Sequence, residues 1–447
     1  MMSYFGRINY NYDERYLFEA NVRYDGSSRL AKSQRWKAFP SFSAAWRVSQ
    51  EKWFNLPYVY NLKLRASWGQ LGNGAVLGLY DYIPVIDRGI NMGEASYYQK
   101  AMASIDKTWE VITSTNVGID LGMFDSKLNL SGDYYWKKND NMLADVTLPH
   151  IAGITVPKSN VGTLKTWGWE FEVSYRDRIG QVDYSIGFNI SDSQNEVTKY
   201  DGKNTIKAGS VDILEGYPLN TIWGYKTDGL WQSRQEYEDY KAAHPGYQSF
   251  NDAKVSGGDV KYLAQGDGCH TVGAGGGTPD NPGDLVCLGN SNGRYTYGIN
   301  LSLNWKGFDV SVLFQGVGKR TVLIEAGQIA PLGATADMPW TIHRDYWTEE
   351  NPNASWPRLY SANTFNYNPS DRWVQDASYI RLKNLTIGYS IPLKKFKIEQ
   401  CRIYVNGTDL WEHTNMLKVF DPETGNKPSA NYYPFFRTWT VGLNITI

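Results

Sequence analysis

The stretch Tyr295-Thr-Tyr-Gly-Ile-Asn-Leu-Ser-Leu-Asn-Trp-Lys-Gly-Phe-Asp-Val-Ser-Val-Leu-Phe314 decides the fold of this chain. Apolar and polar residues alternate on both sides of Lys306-Gly307, which predicts two antiparallel strands joined by a tight turn. The apolar side of the first strand begins at Tyr295 and ends at Trp305, with aliphatic residues between them. Its other side carries short polar residues. An apolar band between aromatic residues, backed by a polar side, is typical of a strand in a membrane β-barrel.

The same period of two recurs along the whole chain. Thirteen clear runs lie at 4–12, 16–24, 42–48, 62–68, 115–121, 128–136, 167–175, 182–190, 295–305, 308–314, 385–391, 401–405 and 437–447. A weaker run near Trp223–Leu230 brings the total to about 14 strands, against ~4–6 in a typical sheet. Many runs approach the ~9–11 residues with which a tilted strand crosses a membrane. We therefore predict an all-β chain that forms an antiparallel transmembrane β-barrel. A soluble β-sandwich that binds glycans is the alternative, in which the apolar sides would form a shared core.

Composition excludes several classes of protein. The net charge of -1 leaves no basic excess for nucleic acid. Aromatic residues make up 15% of the chain, with 32 tyrosines and 17 tryptophans, and Tyr and Trp favour the two membrane–water interfaces. The mean hydropathy of -0.47 is compatible with a membrane barrel, because the polar inside dilutes the apolar outside. The five histidines are scattered and no Ser/His/Asp arrangement is visible, so we expect no enzyme.

The predicted connections alternate between short and long. Asn11–Arg15 and Trp305–Phe308 are tight turns, whereas 192–294 and 318–378 are long and lack periodicity. Loops of this length are usually functional or disordered. We interpret both as outer loops, with a short helix at Glu236–Ala243.

Five tryptophans in these two loops are candidates for contact with a substrate or with a partner protein. They are Trp223, Trp231, Trp340, Trp347 and Trp356. An exposed indole can stack on a sugar ring or anchor an interface. The alternative for each of them is packing within its own loop.

The glycine-rich part of the first loop contains further candidates. Its four aspartates are Asp259, Asp267, Asp280 and Asp284, whose oxygens suit calcium, although they lack the spacing of a defined calcium loop. Cys269 and Cys287 either form a disulfide in an oxidising compartment or remain free thiols. We expect no other cofactor.

Several segments, in order along the chain, resemble the SusC/RagA family of TonB-linked outer-membrane transporters of the Bacteroidetes. Four of them are Tyr4-Phe-Gly-Arg-Ile-Asn-Tyr10, Phe39-Pro-Ser-Phe-Ser-Ala-Ala-Trp-Arg47, Leu62-Lys-Leu-Arg-Ala-Ser-Trp-Gly-Gln-Leu-Gly-Asn73 and Tyr379-Ile-Arg-Leu-Lys-Asn-Leu-Thr-Ile-Gly-Tyr389. The resemblance implies that residues 1–447 are the C-terminal part of a 22-stranded barrel. The signal peptide, TonB box, plug domain and first strands of the family have no counterpart here, so we expect a fragment.

The resemblance also implies a function and partners. Such a transporter imports oligosaccharides or peptides across the outer membrane of a Gram-negative cell. It works with a SusD-like surface lipoprotein over its outer loops. A TonB–ExbB–ExbD complex, acting through the N-terminal region that is not seen here, supplies energy. A passive porin is the alternative, and it requires the first strand to pair with the last one.

Overall fold

The computed structural model describes residues 1–99, 101–146, 154, 157–332, 338–361, 364–391, 400–425 and 432–446. Thirteen described strands form one antiparallel sheet in which each strand pairs with its neighbours along the chain. They are β1 (Met2–Tyr12), β2 (Tyr16–Gly26), β3 (Trp36–Arg47), β4 (Val59–Asn73), β5 (Glu110–Met123), β6 (Leu128–Ala144), β7 (Ser159–Ile179), β8 (Val182–Tyr200), β9 (Arg294–Trp305), β10 (Phe308–Lys319), β11 (Tyr379–Ile391), β12 (Gln400–Thr414) and β13 (Thr438–Thr446).

All thirteen clear period-two runs are strands of this sheet, so the prediction of an antiparallel barrel wall is confirmed. Ile447, the last residue of the final predicted run, lies outside the described residues. The prediction that the weaker run near Trp223–Leu230 is a strand of the wall is wrong. It forms two short strands, Thr221–Gly224 and Thr227–Leu230, in separate small sheets. Every residue of Thr221–Gly224 is buried, so this strand lacks the one exposed apolar side that a wall strand needs.

Most described connections are short at one end of the sheet and long at the other, although connection 48–58 at the short end is longer than 27–35 at the long end. The sheet therefore has two different ends. At one end lie tight turns such as Lys306-Gly307, whose φ angles of 47° and 88° are those of a two-residue hairpin turn. At the other end lie 27–35, 74–109, 145–158, 201–293, 320–378 and 415–437. We call these the short-turn end and the long-loop end. Two predicted loop boundaries move, because β8 continues to Tyr200 and β10 to Lys319.

In the part of the chain that the structure describes, protein does not cover the apolar side of the sheet. Trp439, Val441, Leu443 and Ile445 on β13 expose between 50% and 74% of their surface. The four described clusters of buried apolar residues all lie at the long-loop end. The β-sandwich alternative is therefore wrong, because it requires a core between two sheets. We call the apolar side the outer face and the polar side the inner face.

The long connections contain their own secondary structure. Connection 74–109 has the hairpin Ile86–Asn91 and Glu94–Gln99. Connection 201–293 has the helix α1 (Arg234–Ala243), which begins two residues before the predicted one. Its short strands are Gly209–Val211, Thr221–Gly224, Thr227–Leu230, Val260–Tyr262 and Val286–Asn290, and those of 320–378 are Thr321–Leu323 and Val374–Asp376, with the one-turn helix α2 at Ala326–Ile329.

The start of α1 explains why a helix forms there. Ser233 is the N-cap, and its hydroxyl accepts the Glu236 N–H at 3.0 Å. The Glu236 carboxylate in turn accepts the Gln232 N–H at 2.6 Å. This reciprocal capping satisfies two backbone donors that the first turn would otherwise leave without partners.

Candidate functional site

The two longest connections fold together into one body at the long-loop end, which we call the loop body (residues 201–293 and 320–378). One apolar core lies within the first connection and includes Trp231 and Tyr262. A second core joins Ile222 of the first connection to Trp356 and Trp373 of the second. The loop body is therefore a packed structure and not a set of independent loops.

The five candidate tryptophans lie mostly inside this body. Trp223, Trp231, Trp347 and Trp356 expose 5%, 0%, 7% and 6% of their surface, and Trp340 is half-buried against the second core. Their rings therefore take part in loop packing. Contact of any of them with a substrate or partner remains a prediction.

Asp259 links the two long connections. Its carboxylate is fully buried and accepts hydrogen bonds from Asn366 Nδ2 at 2.9 Å and from the Tyr360 hydroxyl at 3.1 Å. It also accepts the Ser256 N–H at 2.9 Å. Burial raises the pKa of Asp259 above its usual range, and the three donors oppose that shift. The carboxylate therefore acts as a structural junction whose acceptor capacity is largely used by protein.

The glycines before Asp259 allow the close approach of Trp347. Gly258 has φ +86°, and a Cβ there would lie 2.5 Å from Trp347 Cε3. A Cβ on Gly257 would lie 2.5 Å from the same ring. The Trp347 indole N–H also donates to Gln232 Oε1 at 3.1 Å. At Gly258 both the backbone conformation and the space exclude a side chain, whereas at Gly257 the space alone does so.

Asp284 organises the glycine-rich segment. Its buried carboxylate accepts the N–H groups of Gln265 at 2.6 Å and Gly273 at 2.8 Å. His270 Nε2 lies 2.9 Å from the same carboxylate, and this hydrogen bond raises the pKa of His270. The segment is thus held by the Asp284 carboxylate, which the sequence analysis gave as a candidate calcium ligand.

The structure separates the other predicted ligands. Asp267 and Asp280 are exposed, and within the described ranges no three His, Cys, Asp or Glu side chains lie close enough to hold a metal ion. Calcium binding remains a prediction without a gathered ligand set. The sequence left open whether Cys269 and Cys287 form a disulfide or remain free thiols. In the structure both are free thiols.

Charged residues on the inner face of β4–β6 form a paired cluster. Arg65 Nε contacts Asp120 at 2.9 Å, and Arg65 Nη2 contacts Asp133 at 2.8 Å. Glu170 and Glu172 on β7 face the same side, since Asp133 and Ser131 of β6 lie directly opposite them.

A second charged cluster fixes connection 415–437 to the inner face. Arg381 is fully buried and forms ion pairs with Glu412, Asp421 and Glu423. The Phe435 ring lies 5.4 Å from the Arg381 guanidinium carbon. Sequence reasoning missed this cluster because its members come from three segments and share no spacing pattern.

The comparisons with known proteins agree with this geometry. Among the described residues, no helix is long and apolar enough to span a membrane. The sequence profile described as "TonB dependent receptor-like, beta-barrel" matches residues 2–306. The chain belongs to this family.

Curated relatives of this TonB-dependent receptor barrel have similar names. TonB-dependent receptor P26 of Formosa agariphila is 27% identical over 99% of the chain, and P3 of the same organism is 28% identical over the whole chain. TonB-dependent receptor SusC of Bacteroides thetaiotaomicron is 24% identical over the whole chain. The chain spans between 43% and 46% of the length of these relatives. The resemblance to SusC/RagA receptors is thus confirmed, and a receptor family agrees with the expectation of no enzyme.

Solved structures show the same fold. The RagAB peptide transporter matches with a TM-score of 0.80 at 21% identity, covering 99% of this chain and 47% of that one. The RagAB peptide importer in its open-open state matches with a TM-score of 0.81 at 22% identity, covering 100% of this chain and 46% of that one. The TonB-dependent receptor barrel described here therefore has the architecture of about half of such a chain.

One feature of the receptor barrel was not predicted from its sequence. The hairpin of connection 74–109 projects apolar side chains into solvent, with Ile90 81% and Met92 99% exposed. Within residues 86–99 the alternation is broken at Arg88 and at Tyr97-Tyr98, so periodicity alone did not separate the hairpin from a loop. An exposed apolar hairpin at the long-loop end is a candidate contact surface.

Proposed function

We propose that this chain is the C-terminal barrel portion of a SusC-like, TonB-dependent importer in the outer membrane of a Gram-negative, Bacteroidetes-like cell. The observation that carries the proposal is a single polarised sheet. Its outer face is apolar and uncovered, and its folded connections gather at one end. The similarity to SusC and the fold of the RagAB peptide transporter support import of oligosaccharides or peptides.

The long-loop end is then the cell surface, and a SusD-like lipoprotein would cover it. The packed loop body offers a rigid base, and the exposed hairpin at 86–99 offers an apolar contact. Rigid surfaces with apolar anchors bind partners at low cost in conformational entropy. In this arrangement the chain supplies the wall and loops, while TonB–ExbB–ExbD acts through an N-terminal region and a plug.

The passive-porin alternative has a specific structural requirement. It needs β1 to pair with β13, whereas in the described part of the chain β1 pairs with β2 and β13 pairs with β12. The import proposal therefore has the stronger support.

Growth on purified glycans or on peptides tests the proposal. The full-length gene should restore uptake to a deletion strain, and removal of TonB should abolish that uptake. The 447-residue chain expressed alone should transport nothing, because in this proposal a plug supplies the gate. Uptake that persists without TonB would support the porin instead. Co-purification of a surface lipoprotein with the full-length protein tests the partner.

A further inference from the structure

The inner faces of β8 to β13 align in two rows of short side chains. In the first row each residue lies directly opposite the next on the neighbouring strand. Its members are Ser185, Ser302, Ser311, Thr386, Asn406 and Thr440. The second row, one inward position closer to the long-loop end, contains Gly187, Asn300, Leu313, Asn384, Thr408 and Thr438. We call these two rows the neutral belt, since neither contains an ionisable side chain.

Side chains of the neutral belt bond to one another. The hydroxyls of Ser185 and Ser302 lie 2.5 Å apart. Asn406 donates from Nδ2 to Thr386 Oγ1 at 2.7 Å and to Asn384 Oδ1 at 3.0 Å. Each hydroxyl and amide keeps further hydrogen-bonding capacity. Apart from Gly187 and Leu313, the belt residues therefore form a surface that can exchange hydrogen bonds with a passing solute.

The charges next to the neutral belt toward either end of the barrel are paired within the wall. Toward the short-turn end, Arg402 Nε contacts Asp309 at 2.8 Å. Toward the long-loop end, Arg381 is buried in its ion pairs, and Lys383 contacts Asp409 at 3.0 Å and Glu423 at 2.9 Å. Along the first row the belt stops at Arg176, which lies opposite Ser185 on β7.

The neighbouring sector of the inner face differs in charge. Glu170 and Glu172 stand side by side on β7, close to the Asp133 carboxylate of β6. Within the described part of the chain neither glutamate has an ion-pair partner, and the one nearby arginine, Arg65, is shared between two aspartates. The wall is thus divided into an acidic sector and a neutral one.

We propose that the neutral belt is the part of the wall that cargo contacts when the barrel opens. The belt passes uncharged, hydrogen-bonding solutes and favours neither cations nor anions. A fixed charge would hold water and counter-ions and attract or repel ionic groups. Hydroxyls and amides replace the hydrogen bonds that a solute loses with water, at little net cost in free energy. The inference rests on the proposed import function.

Thiol labelling in cells tests the belt without knowledge of the substrate. The full-length transporter would carry serine at Cys269, Cys287 and Cys401. Single cysteines would be introduced as Ser311→Cys in the belt or as Ser191→Cys, which lies on β8 directly opposite Glu170 of the acidic sector. Leu303→Cys on the outer face is the matched control. The probes are methanethiosulfonate reagents with an ethylammonium or an ethylsulfonate group, applied with and without an uncoupler of the proton gradient.

We expect Ser311→Cys to react faster in energised cells. There the cationic and anionic reagents should react within about twofold of each other, whereas the cation should react about tenfold faster at Ser191→Cys. Leu303→Cys should not react in either condition. Two results would overturn the belt proposal alone. One is a faster reaction in energised cells at Ser191→Cys but not at Ser311→Cys, and the other is a clear preference for one reagent charge at Ser311→Cys. Loss of the energy response at both inner positions would instead overturn the import function, and the belt proposal with it.

Discussion

The Asn366 side chain is hydrogen-bonded to the Asp259 carboxylate although the two residues lie 107 residues apart in the chain. Asn366 Nδ2 donates to the Asp259 carboxylate at 2.9 Å, and Asn366 Oδ1 accepts the Val260 N–H at 2.9 Å. Both residues are almost completely buried. One amide side chain thus joins the two connections of the loop body next to the carboxylate that organises it.

Asp259→Ala should loosen the loop body without unfolding the barrel. The substitution leaves three donors without an acceptor, of which the Asn366 amide is buried and the Ser256 N–H and Tyr360 hydroxyl are partly buried, at a cost of about 1–3 kcal/mol for each group that finds no water. Limited proteolysis should cut within 201–293 and 320–378 much faster than in the parent, while the heat-modifiable mobility of the barrel stays the same. Asp280→Ala, at an exposed carboxylate of the same connection, should change neither. Equal protease resistance in both variants would contradict the junction.

Gly258→Ala should be more damaging than Gly266→Ala. Both glycines have positive φ, +86° and +72°, but only Gly258 lies against Trp347, whereas a Cβ on Gly266 meets nothing within 4 Å. Gly266→Ala therefore carries only the backbone strain of about 1 kcal/mol. Gly258→Ala adds a collision with the indole. Tryptophan fluorescence during urea titration should show an earlier loop transition for Gly258→Ala alone, and coincident transitions for the two variants would contradict the close packing.

Arg381→Met should release connection 415–437 from the inner face. The change leaves Glu412 and Asp421 without this ion-pair partner and Glu423 with Lys383 alone, and breaking a buried pair typically costs about 3–5 kcal/mol. Hydrogen exchange of the described segment 415–425 should rise strongly. Lys199→Met, which removes an exposed ion pair with Asp201, serves as the control and should leave exchange unchanged. Slow exchange in Arg381→Met would show that apolar packing of Met416 and Phe420 is sufficient.

Acid should weaken the connection 320–378 through His343. This buried imidazole accepts the Trp340 N–H on Nδ1 at 2.8 Å, and its Nε2 lies 2.9 Å from the Ile329 carbonyl, an arrangement that needs the neutral ring. Burial lowers the pKa of His343 below its ordinary value of 6.5. As the pH falls, the unfolded segment therefore takes up a proton before the folded one does. The stability of the folded connection is complete above pH 6.5 and decreases as the pH falls through that value.

Pulsed hydrogen exchange at pH 7 and pH 5, corrected for intrinsic rates, measures this effect. The parent should exchange faster at pH 5 within 321–329 and 341–344. His343→Gln should be less protected at both values and should lose most of the difference between them. The same pH difference in parent and variant would assign it to another group.

The sequence predicted the wall far better than the loop body, for a physical reason. In strands such as β9 and β13, one side meets lipid and the other meets water, so each residue's chemistry reports its direction. Thr221–Gly224 is buried on all sides and carries no such alternation. The partners of Asp259 and Arg381 are chosen by tertiary contact across 31 to 107 residues. No local pattern encodes such contacts, and tryptophans that looked available for ligands were found inside the cores.

The number of wall strands has a further consequence for closure. Thirteen is odd, so in an antiparallel sheet β1 and β13 run in the same direction. A ring that joined them directly would contain one parallel seam. A ring that is antiparallel throughout must add an odd number of strands between them, and a 22-stranded barrel exceeds thirteen by such a number. The parity of the sheet therefore sets a rule for whatever completes this wall: its two outermost strands must also run in one direction, opposite to that of β1 and β13.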